Sequence, residues 1–343
     1  MPLFRDTRSG PRPRVGHDGP GHDNGRPEML AISADAPLPG APRPDGSDIA
    51  PPLPEGALPR ITDHGDGRTG DLPPGLNRHL AAVVSWLLLP VYVTLGPWVR
   101  ARTVRMTPAA GPHRASLPGR GKPLRLLVIG DSSAAAVGVS HTREGLAHRI
   151  AETLARRTGR PVSYVVHGHN SAVAGQLRDY VLPHLPDEPF THVVVSVGAN
   201  DAKNWHSAGR WRHDFGTLLY ALRTRYPDAT IVWSRLFDFA KLPAVPWALG
   251  QVLNMRRAVV CRLADELCIE RGAHAAPLMD VTHAEGLSRD GFHASALGYR
   301  MWGRHLAEFI ETLEDGGADR RVAREPVRIA APTALPAAIE PAE

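Results

Sequence analysis

Five short apolar runs, each about one strand long and separated by stretches of helical character, constrain this chain more than any other feature. Leu124–Ile129 (LRLLVI) runs into Gly130. Val162–Val166, His192–Val197 (HVVVSV) and Thr230–Ser234 follow, with Ala273–Met279 as a weaker fifth. Continuous rather than alternating apolar runs of this length belong to strands covered on both faces. Between them Leu146, Ile150 and Leu154 recur at helical spacing up to a stop at Gly159, and Phe215, Leu218, Leu219 and Leu222 form a second stripe. Asn254–Arg271 reads as a long helix, and a closing helix over Ser295–Leu313 has Ser295 as its N-cap. Strand and helix in alternation predict an α/β fold, a central parallel sheet between helical layers that binds ligands at the carboxyl ends of its strands.

The ends of the chain are poor core material. Residues 1–76 are dominated by Pro, Gly, Asp and Arg, and residues 314–343 repeat that character, so both are expected to be disordered. The folded domain is expected over residues 120–313. The net charge is +5, but lysine occurs only at 122, 203 and 241 and the arginines are interleaved with Asp and Glu. No basic stripe with stacking aromatics is present, which argues against a nucleic-acid partner. Cys261 and Cys268, seven residues apart on one expected helix, are separated by about 10 Å of rise, too far to bond to each other. They read as buried small hydrophobes, and no Cys/His spacing suggests a metal site.

Ahead of the domain, within residues 77–105, Leu80–Val99 (LAAVVSWLLLPVYVTLGPWV) carries no charge and is flanked by Arg78 and by Arg100, Arg102 and Arg105. Its length just spans a hydrocarbon core of about 30 Å, and Trp86, Tyr92 and Trp98 suit an interface. Membrane association through residues 80–99 is therefore expected, either spanning or lying in the surface. If the segment spans, the arginine excess on its C-terminal side predicts that the domain that follows lies on the cytoplasmic side. Pro90, Gly96 and Pro97 keep open the alternative of a kinked helix buried against the domain.

Three blocks fall at the expected strand ends: Gly130-Asp131-Ser132-Ser133 after the first run, Gly198-Ala199-Asn200-Asp201 after the third, and Asp290-Gly291-Phe292-His293 before the last helix. A serine hydroxyl needs a base within hydrogen-bond reach, and Ser132 sits where a strand-to-helix turn exposes it. The spacing of Asp290 and His293 lets the carboxylate accept from Nδ1–H while Nε2 faces the serine. Acyl transfer also needs donors for an oxyanion, and Asn200 with the backbone N–H groups of Ser132 and Gly175 supplies three. Asp201 reads as an acceptor that organises its loop. Each block alone equally suits a plain turn, and the first lacks the Lys and glycine spacing of a phosphate loop.

Together the blocks resemble the SGNH (GDSL-type) esterase/lipase superfamily, over about 120–313. Ser133 stands where that family usually has Leu or Ile, and the glycine block around Gly175 is a loose match. The resemblance implies a three-layer α/β/α sandwich like flavodoxin, with Ser132 as nucleophile, Asp290 and His293 completing a triad, and Gly175 and Asn200 as oxyanion donors. It implies a serine hydrolase that cleaves carboxylic esters through an acyl-enzyme, esterase/lipase or lysophospholipase-like, acting on a small ester or lipid without metal or organic cofactor. The apolar, Pro-broken stretch Phe237–Leu249 offers Phe237, Phe239 and Trp247 as an acyl-binding wall, and Trp205, with His206 and Trp211, offers the opposite one. Two other readings remain open: an O-acyltransferase or deacetylase working on a sugar or polymer hydroxyl with the same triad, and a non-catalytic, membrane-tethered binding module.

Overall fold

The computed structural model describes residues 78–279 and 284–320. The two expected disordered regions therefore lie almost wholly outside the described residues.

Two helices open the described chain, α1 (Arg78–Leu87) and α2 (Leu89–Arg102). Then come β1 (Arg114–Leu117), β2 (Leu124–Gly130), α3 (Leu146–Thr158), β3 (Val162–Gly168), the single turn α4 (Ala174–Gln176), β4 (His192–Ser196) and α5 (Ala199–Lys203). The order ends with α6 (Ala208–Arg225), β5 (Thr230–Trp233), α7 (Trp247–Glu270), β6 (His274–Ala275) and α8 (Ala296–Arg320). The strands form one sheet in the order β1-β3-β2-β4-β5-β6, parallel throughout except that β1 runs antiparallel to β3. From β2 the chain steps first to β3 on one side and then to β4 on the other. The carboxyl ends of β2 and β4 thus flank the point where strand order reverses, where such sheets open a crevice.

The continuous apolar runs follow from this layering. Successive side chains of a strand point to opposite faces, so Leu127 and Ile129 of β2 enter the core beneath α6 and α7, with Phe215, Leu219, Val260 and Leu263. Leu126 and Val128 enter the core beneath α3 and α8, with Leu146, Ile150, Tyr299 and Leu306. Burying each such side chain stabilises the fold by about 1.5–3 kcal/mol. Two helix ends are where the sequence places them, whereas α7 begins at Trp247, ahead of the expected Asn254. Gly159 closes α3 at φ +67°, and Ser295 Oγ accepts from Gly298 N–H at the start of α8.

Several expectations change. β1 was not foreseen, because its four residues (RASL) carry no apolar run; it is a half-exposed edge recruited by pairing with β3. The boundary at 120 falls inside the fold, since Ala109 N–H also donates to Ala135 O and Ala110 N–H to Ser140 O. The fifth strand shrinks to two residues, and α8 runs past 314 to Arg320. Cys261 and Cys268 are buried on α7 and not bonded to each other, and burial pushes the Cys268 thiol up to about 12.

The apolar segment 80–99 breaks at Leu88 into α1 and α2, bent by 62°, with Pro90 in the first turn of α2. Among the described residues no single helix is long and apolar enough to cross a membrane, whereas this bent pair meets both criteria together. One face packs on the domain: Ala81 and Ser85 are buried, and Tyr92, Leu95 and Val99 lie half-buried against the core beneath α7. The other face leaves Leu80, Val83, Trp86, Leu87, Val93 and Trp98 exposed.

Candidate active site

The turn that carries Ser132 is set by close approach of two strand ends. A Cβ on Gly130 would stand 2.2 Å from Ser196 O, so only glycine allows β2 to end against β4 here. Asp131 N–H donates to Ser196 O, and the buried Asp131 carboxylate folds back to accept from Ser133 N–H at 3.0 Å and Ser133 Oγ–H at 2.9 Å. Burial pushes the Asp131 carboxyl above its ordinary range, opposed by those two bonds. With Ser133 held inward, also 2.7 Å from Ser196 Oγ, Ser132 occupies the outer side of the turn. Among the described residues nothing accepts from its backbone N–H.

Ser132 Oγ lies 3.1 Å from His293 Nε2, and His293 Nδ1 lies 2.5 Å from Asp290 Oδ2. The other carboxylate oxygen accepts from Phe292 N–H and His293 N–H, both at 2.9 Å, and from Ser288 Oγ–H at 2.8 Å. Burial alone would raise the Asp290 pKa, but the bonds from His293, Phe292 and Ser288 outweigh it and hold the carboxyl well below the usual range. Gly138, at φ +114°, lets the chain after the Ser132 turn approach this loop; a Cβ there would meet Ala294 O at 2.2 Å. Ser288 was not anticipated, although a serine two residues before the aspartate is a recognisable local signal.

Asn200 comes from the third block. Gly198 turns the chain at φ +124° off the end of β4 into α5, which delivers Asn200 to the same rim. Its Nδ2 donates to Ala172 O at 2.9 Å and, at a long 3.5 Å, to Asp131 Oδ2. Asp201 is fully buried, accepts from Ala174 N–H and pairs with His206 Nδ1 at 3.0 Å, the organising role expected of it. Gly175 does not reach the rim. It lies buried in α4, and a Cβ on it would meet the Asp214 carboxylate at 2.9 Å. The residue placed beside Asn200 is Ala172, three positions earlier, so its missing Cβ was a misleading guide.

The cleft beside Ser132 encloses about 40 Å³, bounded by Ser196, Ser234, Phe237, Phe292 and Trp302. Phe237 is thus where it was expected. Phe239 is not, being fully buried against Asn254 and α7, and Trp247 stands on the surface at 73% exposure. Trp205 and Trp211 also turn away: Trp205 packs against Trp86 and Tyr92, and Trp211 Nε1–H donates to Val260 O within the core. Phe292 in the cleft wall, and Lys203 over its ring, are residues to which the sequence reading gave no role. Lys203 lies one helical turn after Asn200, and its ammonium sits 5.1 Å from the centre of the Phe292 ring.

A parallel sheet with a serine–histidine–aspartate series at its carboxyl rim defines a class, the α/β/α hydrolases that carry a serine on the turn after a strand. The chain belongs to the GDSL-like lipase/acylhydrolase family, whose model matches residues 128–301, just over half of it. It is also similar to three solved structures. One is TesA (16% identity, TM-score 0.46, 55% of this chain and 99% of that one). The second is the lipase/acylhydrolase from Enterococcus faecalis (19%, 0.43, 55% and 96%). The third is a family 3 carbohydrate esterase from Clostridium thermocellum (15%, 0.44, 57% and 98%). No curated protein matches the chain.

Proposed function

We propose that this hydrolase cleaves carboxylic esters through an acyl-enzyme on Ser132, at a lipid surface engaged by α1 and α2. The observation that carries the reading is the hydrogen-bonded series Ser132, His293, Asp290, with contacts of 3.1 and 2.5 Å. Ser132 Oγ attacks the ester carbonyl while His293 Nε2 takes its proton, and the ionised Asp290 fixes the tautomer and stabilises the imidazolium. The developing oxyanion meets the uncommitted Ser132 N–H and the Asn200 amide, whose 3.5 Å bond to Asp131 is the one readily exchanged. His293 then protonates the leaving alkoxide, and water, activated by the same imidazole, releases the acid.

The surface reading rests on the exposed apolar face of the helix pair and on charge. No Asp or Glu occurs between residues 72 and 130, whereas Arg100, Arg102 and Arg105 follow the apolar run. Apolar side chains beside unopposed arginines suit a leaflet with anionic headgroups, and the arginine excess favours the cytoplasmic one. The pair borders the site. Trp98, Val99 and Val104 face Pro243 and Ala244 across an open cavity of about 400 Å³ beside Asp290.

A second reading, removal of a short acyl group from a sugar or polymer hydroxyl, is favoured by the cleft itself, whose accessible space of about 40 Å³ is small beside the roughly 300–1,000 Å³ of a pocket for a large ligand. Aryl esters graded from acetyl to decanoyl separate the two: a maximum at two to four carbons supports the short-acyl reading, and a maximum at eight or more supports lipid esters. Ser132→Ala should lower kcat by roughly 10⁴ to 10⁶ on every ester, and a fluorophosphonate should label Ser132; retained turnover in that variant would sink both readings. Cosedimentation with anionic but not zwitterionic vesicles tests the surface contact, and removal of residues 78–105 should abolish it.

A further inference from the structure

Lys203, whose ammonium lies over a ring that lines the cleft, has no part in the reaction as described. Lys203 lies one helical turn from Asn200, on the same face of α5. Its side chain is half-buried, and its ammonium sits over the ring of Phe292, which lines the cleft and stacks edge-on against His293 at 5.3 Å. Among the described residues no hydrogen bond or ion pair ends on that ammonium. The nearest carboxylate, Asp131, is already engaged by Ser133 and Asn200. Arg100 of α2 adds a second positive charge on the same side, and its helix is fixed there by Tyr92 Oη–H donating to Lys203 O at 2.6 Å. Burial depresses the Lys203 pKa, with Asp131 opposing and Arg100 adding to the shift, and an anion arriving at the ammonium would relieve it.

We propose that Lys203, backed by Arg100, seats an anionic group carried on the alcohol portion of the ester substrate. The inference rests on the ester-hydrolase reading above. In this arrangement the acyl group takes the part of the cleft lined by Ser234, Phe237 and Trp302, and the alcohol takes the part lined by Phe292, over whose ring the ammonium sits. The covalent step is unaltered: the Ser132 Oγ–acyl bond forms, the carbonyl–alkoxide bond breaks, and the alkoxide leaves with the His293 proton and its anionic group intact. Phosphate and carboxylate share the required charge. Half-buried and next to an aromatic ring, an ammonium is screened less than at an open surface.

Three butyrate esters test the proposal, made from 3-hydroxypropyl phosphate, 4-hydroxybutanoate and 1-butanol. The wild-type protein should favour one or both anionic esters over the neutral one in kcat/KM, mainly through KM. Lys203→Met should lower that preference by about tenfold or more, while Lys203→Arg keeps most of it. Which anion is preferred identifies the group. Propyl phosphate or 4-hydroxybutanoate, neither of them the acid product, should also inhibit neutral-ester hydrolysis competitively in the wild-type protein, a readout that needs no variant. Equal losses on all three esters, no preference in the wild type, or no competitive inhibition would overturn the proposal and assign Lys203 to balancing Asp131. Neutral-ester hydrolysis that survives Ser132→Ala would instead overturn the underlying hydrolase reading.

Discussion

Replacement of Asp290 by Asn separates the orienting role of this residue from its structural one. Oδ1 of Asp290 accepts three hydrogen bonds, from Phe292 N–H, His293 N–H and Ser288 Oγ–H, all between 2.8 and 2.9 Å. Those donors hold the new carboxamide oxygen in the same place, so its NH₂ must point at His293 Nδ1, where Oδ2 stood 2.5 Å away. Nδ1 then has to accept, the ring proton moves to Nε2, and the atom 3.1 Å from Ser132 Oγ can no longer take the serine proton. The wrong tautomer costs roughly 10⁴ in kcat, equivalent to about 5.5 kcal/mol of transition-state stabilisation. Because three of the four acceptor contacts survive, the folding free energy should fall by no more than about 1–2 kcal/mol. Asp290→Ala is a poorer probe, since it strands those donors. The assay is steady-state hydrolysis of a short aryl ester together with urea unfolding of both proteins. A loss in kcat below tenfold in a variant that unfolds like the wild type would refute the reasoning.

Asn200→Ala should lower kcat by roughly 10² to 10³ with little change in KM, measured on the same ester. Gly138→Ala forces a side chain into φ +114° with its Cβ 2.2 Å from Ala294 O, and should destabilise the protein by at least about 1–3 kcal/mol in urea unfolding while displacing His293. Burial lowers the pKa of His192 to about 4, an effect partly offset by Glu314, and burial lowers His167 to about 4 as well. Unfolded histidine titrates near 6.5, so the unfolded chain binds more protons between pH 6.5 and 4 and stability falls as pH drops through that window. The slope is at most about 1.4 kcal/mol per pH unit for each histidine, and less for the partly exposed His167. His192→Gln should flatten part of that slope in unfolding measured from pH 7 to 4.

What the sequence made legible is what the backbone alone fixes. β2, β3, β4 and β5 lie on apolar runs because both of their faces are covered, and Ser132, Asn200, Asp290 and His293 are found because each is tied to a strand end or to its partner within three residues. Features that depend on tertiary packing were not legible. β1 is a strand only because β3 has an unpaired edge. Gly175 and Ala172 are both small residues on the same loop, and which of them meets Asn200 is decided by α5 packing across from it. The aromatic residues were misplaced for a similar reason: Trp205 closely follows the third-strand block and Phe239 follows the end of β5, but the side of a loop that faces the cleft is not encoded in composition.

The helix pair shows why treating segment 80–99 as an appendage understates it. Arg256 of α7 is buried between the rings of Trp86 and Trp205 and donates to His206 O and to Ser85 Oγ, while Tyr92 packs on Trp205 at 4.5 Å and donates to Lys203 O. Trp205 itself holds φ +59°, a conformation that a bulky residue keeps only where its surroundings impose it. Those surroundings come largely from α1 and α2. The strained turn ends the five-residue helix that presents Asn200, and Arg256 would be a buried charge without a counter-ion or full hydration if the pair were lifted away. The apolar segment therefore packs on α7 through Ser85 and Trp86, which meet Arg256, and on the end of α5 through Tyr92, which meets Trp205 and Lys203, so a displacement of the pair would be felt by the helix that carries Asn200 as well as by the core.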